Sequence, residues 1–316
     1  MSAAHDSARE RLSQLLTEHP HDARFAAAIL QDLHEEQTAF SPYRGTSKVA
    51  IFGSARAETE SPEAAMAAET GRCFVRAGWM VTTGGGPGIM AAATQGAGTD
   101  QAFAIDINLP FEYDTAGFPP GDPKVVHSEF FFTRKLAFFR QSDAFVVFPG
   151  GLGTMDELFE LLTLMQTGRT RMAPVVLAEP AGGRYWAAWL DFIDRLAAES
   201  YISRDDLAFV EVAHDATTVV ALVTSFWSNL RSFRVVDDHA VFSVERVPPA
   251  VAHRLDARAS ATSAVPYELQ MGVTASIEAA SSPTQPGGQT TLNVAVPFDG
   301  RQWSLLRRVI TELNAW

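Results

Sequence analysis

The run Phe148-Pro-Gly-Gly-Leu-Gly-Thr-Met-Asp-Glu157 places glycines, a threonine and a carboxylate between an apolar stretch, DAFVVF, and an amphipathic one, LFELLTLM. A second glycine cluster, Gly84-Gly85-Gly86-Pro87-Gly88, follows the apolar run WMVTT. A glycine-rich turn from strand to helix presents bare backbone amides at the positive end of the helix, and that is the chemistry of phosphate binding. Gly84, Gly85, Gly86 and Gly88 in one turn, and Gly150, Gly151 and Gly153 in the other, are candidate cradles able to grip one ligand together. Thr154, and Ser54 after the first strand, are candidate hydroxyl donors to it, although a serine in that position also suits a helix cap. Thr154 and Glu157 also have the Thr-x-x-Glu spacing of a capping box, which places Glu157 in the first turn of its helix. Capping leaves the glycines unexplained, since each loses extra conformational entropy on folding and brings no side chain to pack.

Arg134 and Lys135 are the second chemical feature. On the otherwise apolar helix FFFTRKLAFF, neighbours point about 100° apart, so the two cations cannot continue one solvated stripe. At least one is expected to face the carboxyl edge of a sheet; the competing reading is a pair of snorkelling surface cations. Gly86, Gly88 and Ala91 also fit the dinucleotide pattern G-x-G-x-x-A, with Asp106 downstream at a strand end. Against NAD binding, Pro87 removes an amide from the cradle and the glycines follow the second strand, where the fingerprint normally follows the first. Asp106 and His127 end strands and are weaker candidates. Phe111 and Tyr113 have rings able to stack on a base or simply to pack.

These residues need elements to hold them. Val/Ile/Phe-rich runs, KVAIFG, WMVTT, AFAIDIN, KVVHS, DAFVVF, PVVLA and AFVEV, alternate with helical stretches, which predicts an α/β fold with a Rossmann-like, doubly wound parallel sheet. Ser61-Pro62 reads as N-cap and first helical residue, and Gly78 as the residue just past a helix end. Residues 1–45 read as a helical arm and residues 46–232 as the nucleotide-binding domain. Residues 233–316 read as a small β-rich α+β extension, with segments VFSVER, YELQMGVTASIE and TLNVAVPF and a last helix, RQWSLLRRVITELNAW.

Composition narrows the partners. The 316 residues are 47% hydrophobic, enough for a sizeable core, and carry a net charge of −12 with a pI near 5.1. That charge argues against a nucleic-acid or anionic-membrane surface, which needs clustered Lys and Arg. Cys73 is the single cysteine and the eight histidines show no ligand spacing, so neither an intrachain disulfide nor a metal site is expected. The N-terminus shows no apolar leader and no apolar run reaches about 18 residues; the expectation is a cytoplasmic protein.

The motifs Gly84-Gly85-Gly86-Pro87-Gly88-Ile89-Met90, Thr133-Arg134-Lys135 and Pro149-Gly150-Gly151-Leu152-Gly153-Thr154-Met155-Asp156-Glu157, with LPFE at Leu109 to Glu112, occur in an order and spacing that resemble the LOG (Lonely Guy) family. The resemblance spans roughly Lys48 to Arg231. It implies a phosphoribohydrolase that hydrolyses a nucleoside 5′-monophosphate, AMP or a cytokinin riboside monophosphate, to free base and ribose 5-phosphate, with no cofactor and as a homodimer or higher homo-oligomer. It implies Glu157 as the catalytic carboxylate, Arg134 as its catalytic partner, and Lys135 as a partner of phosphate or of Glu157. Where the family often has Met-His-Glu before Arg-Lys, this chain has Phe131-Phe132-Thr133. Relatives of the family also include non-enzymatic cofactor carriers, which stay open as the alternative along with an NAD or nucleotide carrier. The older label "lysine decarboxylase" would require a Schiff-base lysine, and the chain has only Lys48, Lys124 and Lys135.

Overall fold

The computed structural model describes residues 3–18, 20–107, 115, 117–256, 264–279, 292–300 and 302–316. Two helices, α1 (Ala3–Glu18) and α2 (Pro20–Phe40), lead into β1 (Lys48–Phe52). There follow α3 (Pro62–Arg76), β2 (Met80–Thr83), α4 (Ile89–Ala97), β3 (Ala102–Ile107), β4 (Val125–Ser128) and α5 (Phe131–Gln141). Next come β5 (Ala144–Val147), α6 (Leu152–Gln166), β6 (Val175–Ala178), α7 (Tyr185–Ala198), β7 (Val210–Ala213) and α8 (Ala216–Phe226). The strands β1 to β7 form a parallel sheet in the order β4-β3-β2-β1-β5-β6-β7. Every residue of β1, β2, β5 and β6 is buried, as a sheet covered by helices on both faces requires. All the strands expected between Lys48 and Arg231 are present.

The remaining chain contains β8 (Leu230–Val236), β9 (His239–Val244), α9 (Pro249–Asp256), β10 (Val265–Glu268), β11 (Thr274–Ala279), β12 (Leu292–Pro297) and α10 (Trp303–Asn314). These strands make a separate antiparallel sheet, β10-β11-β12-β9-β8. The segment YELQMGVTASIE, expected as one alternating run, folds as a hairpin. Gly272, at φ +78°, lies in its turn, a backbone conformation that glycine adopts without strain.

The chain divides into two compact units, residues 1–51 with 55–142, and residues 52–54 with 143–316. The first unit contains the N-terminal helices and β2 to β4. There α3 and α4 pack with almost no space between backbones: a Cβ on Gly96 would lie 1.8 Å from the Ala68 carbonyl oxygen, and one on Gly71 2.3 Å from that of Ala93. The Ser61 hydroxyl caps α3 by accepting from Ala64 N at 3.2 Å, Pro62 opens that helix, and Gly78 follows its end at φ +81°.

The second unit joins β5 to β7 and the antiparallel sheet. Residue 232 falls inside β8, and the buried Asn229 is the joint just before that strand. Asn229 Nδ2 donates to Leu313 O at 2.6 Å and Arg246 O at 3.1 Å, while its own amide donates to Asn314 Oδ1 at 3.0 Å. Arg307 of α10 reaches Glu211 of β7 at 2.8 Å and lies 5.4 Å from the Phe226 ring centroid. Side chains of the last helix thereby fasten the extension to the end of the parallel-sheet portion.

Candidate functional site

In the first unit, Arg134 lies near the start of α5 and is only 9% exposed. Its Nε donates to Ile105 O at 2.8 Å, at the carboxyl end of β3, and its Nη2 to Gly84 O at 3.3 Å, after β2. The guanidinium carbon stands 5.3 Å from the Phe138 ring centroid. Arg134 thus faces the carboxyl edge and does not snorkel. A Cβ on Gly84 would lie 2.1 Å from Nη2, so Gly84 is glycine because the guanidinium occupies that space.

The other glycines of this turn also have reasons inside the chain. Gly85, at φ +71°, donates its amide to Thr83 Oγ1 at 3.2 Å, and Gly88, at φ +66°, is the N-cap position of α4. A Cβ on Gly86 would meet the Met90 methyl at 2.8 Å. Asp106 accepts from the Ile107 amide at 2.7 Å and lies 3.7 Å from Nδ1 of the exposed His127, its neighbour in register on β4. Phe111, Tyr113 and the LPFE stretch lie outside the described residues.

In the second unit, the end of β1 and the end of β5 run together: Phe148 N donates to Phe52 O at 2.8 Å and Ser54 N to Pro149 O at 3.1 Å. Ser54 is therefore part of a strand-end bridge and not a helix cap; the next helix is capped by Ser61. The expected capping box is not formed. Helix α6 begins at Leu152, with the extended Gly151 (φ −94°, ψ −156°) as N-cap and no side-chain cap bond, and Met155 N already donates to Gly151 O at 3.1 Å. Thr154 consequently lies inside the first turn and Glu157 in the second, where the sequence spacing had placed it in the first. The cause is packing: the buried Thr154 side chain sits on Gly150, whose hypothetical Cβ would lie 2.2 Å from Thr154 Oγ1. Gly150 is thus required by Thr154, whereas a Cβ on Gly151 or Gly153 would meet nothing within 4 Å.

Two positioning groups escaped the sequence reading. The Tyr185 hydroxyl donates to Gly150 O at 2.6 Å, and the Tyr185 amide in turn donates to the buried Glu179 at 2.9 Å, so the glycine turn is held from α7. The buried Asp32 of α2 accepts bonds from the start of α5. A signal existed for the second: α5 has Phe130 at its N-cap position, a residue that cannot cap, so a partner had to come from elsewhere. Lys48 Nζ donates to Tyr43 O at 2.6 Å and Thr46 O at 2.7 Å, and Lys124 pairs with Asp122 at 2.8 Å; both lysines brace turns. Among the described residues, no cluster of His, Cys, Asp and Glu has metal-binding geometry and no helix is long and apolar enough to cross a membrane.

Residues 90–223 match the family model described as "Possible lysine decarboxylase". The cytokinin riboside 5′-monophosphate phosphoribohydrolase LOG of Oryza sativa subsp. japonica is 30% identical over 190 residues, covering 59% of this chain and 76% of that protein. The cytokinin riboside 5′-monophosphate phosphoribohydrolase of Mycobacterium tuberculosis is 30% identical over 182 residues, covering 56% of this chain and 95% of that protein. The chain belongs to the LOG family. Among solved structures, this LOG protein is similar in fold to the molybdenum cofactor carrier protein of Chlamydomonas reinhardtii, at 22% identity over 57% of this chain and 96% of that one, with a TM-score of 0.40. The LOG matches leave a substantial part of the chain uncovered, and the braced Lys48 and Lys124 lend no support to a decarboxylase.

Proposed function

We propose that this LOG protein is a phosphoribohydrolase acting on a nucleoside 5′-monophosphate, AMP or a cytokinin riboside monophosphate. The observation that carries the reading is the 30% identity to a named phosphoribohydrolase across 95% of that protein's length. The fixed guanidinium of Arg134 supports it. In this reaction the C1′–N bond breaks with its electron pair going to the base, water supplies the hydroxyl that ends on C1′, and its remaining proton goes to the base. Positive charge grows at C1′ as the base departs. Glu157 is the carboxylate that stabilises that charge, and Arg134, already oriented by two carbonyls, orients the nucleotide or assists the departing base. Gly150, Gly151, Gly153 and Thr154 at the start of α6, with Lys135, Ser54 and the turn Gly84, Gly85, Gly86 and Gly88, bind the nucleotide and its phosphate.

The chemistry is assigned to residues 46–232, with residues 1–45 and 233–316 as flanking parts. Assembly as a homodimer belongs to the same proposal and is supported by the apolar face of α5, where Phe131, Phe132 and Leu136 are 55%, 47% and 40% exposed; light scattering reads it directly. The test of function is incubation with a panel of nucleoside monophosphates and the matching nucleosides. Equal amounts of free base and ribose 5-phosphate are expected from at least one monophosphate, and none from its nucleoside. Binding of a nucleotide without turnover would favour a carrier, and tight NAD binding that AMP does not displace would favour the dinucleotide reading.

A further inference from the structure

The helix that carries Arg134 begins without a cap of its own. Phe130 takes the extended N-cap backbone conformation (φ −122°, ψ 144°) and has no polar side chain to offer the first amides. The two amides just before the first helical turn, those of Glu129 and Phe130, are bound instead from α2, about a hundred residues earlier in the chain. Asp32, 6% exposed, accepts from Glu129 N at 3.1 Å to each carboxylate oxygen and from Phe130 N at 3.4 Å, and the buried Thr133 hydroxyl donates to it as well. A carboxylate there also meets the positive end of the helix dipole. One turn further along α2, Glu36, 1% exposed, accepts from Gln141 Nε2 at 2.6 Å and pairs with Arg140 at 3.5 Å. Residues four apart share one helix face, so α2 grips α5 at both ends.

Arg134 follows Thr133 directly, and its two carbonyl bonds, to Ile105 and Gly84, tolerate little movement of α5 before their geometry fails. We infer that Asp32 is a positioning residue for Arg134: the carboxylate sets the start of α5, and that start sets where the guanidinium stands. The inference rests on the reading of Arg134 as a reacting group. It gives α2, which lies before the stretch that resembles the family, a part in turnover.

The test is Asp32→Ala in the full chain, measured well below its unfolding temperature. Three quantities are read: kcat and KM on an active monophosphate, thermal unfolding, and the ¹H–¹⁵N signal of Arg134 Nε, assigned by its loss in Arg134→Lys. The expected result is a fall in kcat of roughly 10- to 100-fold, the scale of an ångström-sized misplacement, with KM little changed, and a displaced or rapidly exchanging Nε signal. Should Asp32→Ala fail to fold, Asp32→Asn, which keeps one acceptor oxygen, carries the same measurements with a smaller expected loss. A folded variant with lowered unfolding temperature but unchanged kcat and an unmoved Nε signal overturns the inference. If the parent protein turns over no nucleotide, the phosphoribohydrolase reading fails, and the Nε signal alone decides whether Asp32 positions Arg134.

Discussion

A Cβ on Gly84 would lie 2.1 Å from Arg134 Nη2 and 2.8 Å from Met90 Sδ, while one on Gly151 would meet nothing within 4 Å. The two glycines should therefore respond differently to the same added methyl. Gly84→Ala is expected to push the guanidinium off its carbonyls, lowering stability by about 1–3 kcal/mol and turnover on the order of 10²-fold. Gly151→Ala should leave the unfolding temperature unchanged and weaken only monophosphate affinity, because the proposed phosphate approaches that backbone. Thermal scans and calorimetric titration of the pair separate the effects; equal behaviour of both variants would argue against the cradle. Glu157→Gln is the sharper residue-scale prediction. Glu157 lies in the second turn of α6, and the near-isosteric amide should preserve the circular dichroism spectrum while turnover falls on the order of 10²-fold or more. Near-normal release of base by this variant would remove Glu157 from the chemistry.

Helix starts show how differently the elements are built. Ser61 caps α3 from within its own sequence, Asp32 holds the two residues that lead into α5 from a distant helix, and α6 starts at Gly151 with no side-chain cap. Asp215 caps α8, accepting from Thr218 N at 2.8 Å and from Thr218 Oγ1 at 2.7 Å. The amide and then the hydroxyl of Thr218 hold its carboxyl below the ordinary carboxylate range. In the unfolded chain that carboxyl titrates at the ordinary value, so its contribution is fully present above that value and is lost as pH falls through the lower folded one. Unfolding followed by circular dichroism from neutral to acid pH should show Asp215→Asn, which still accepts from Thr218 N, losing less stability on acidification than the parent. Parallel acid titration curves for the two proteins would mean that the cap carries no pH-dependent stability.

At the scale of the molecule, the question is what the extension does for the second unit. The face of α10 formed by Trp303, Leu306, Val309, Ile310 and Leu313 is buried, Arg307 pairs with Glu211, and Ser304 Oγ donates to Asp205 at 2.9 Å. A chain ending at Ser228, before β8, uncovers whatever these side chains cover and removes every Asn229 bond. We expect it to unfold at lower temperature than the full chain yet to release base and ribose 5-phosphate while folded, since no proposed reacting group lies beyond Ser228. Loss of all turnover by a truncated chain that circular dichroism shows to be folded would assign the extension a part in the chemistry.

The alternation of apolar strand and amphipathic helix, the Ser61-Pro62 start and the Gly78 stop were legible in the residues, because each follows from neighbours within a few positions along the chain; of the Arg134-Lys135 pair, spacing showed only that both could not lie on one solvated stripe. Tertiary structure decided the rest. The polar run Asp32-Leu-His-Glu-Glu36 reads like a solvated helix face, yet Asp32 and Glu36 are buried against α5, and only the folding of that helix onto them distinguishes them from the half-buried Glu35. Thr154 had the spacing of a cap and became an interior residue of α6 because its side chain needed the space over Gly150. Tyr185 bonds to Gly150 across 35 residues, and Asn229 to Leu313 across 84. Local periodicity and capping act over one or two turns and can be read from sequence. Burial of a charge or register of a helix start depends on what packs against it from far along the chain, and no spacing records that.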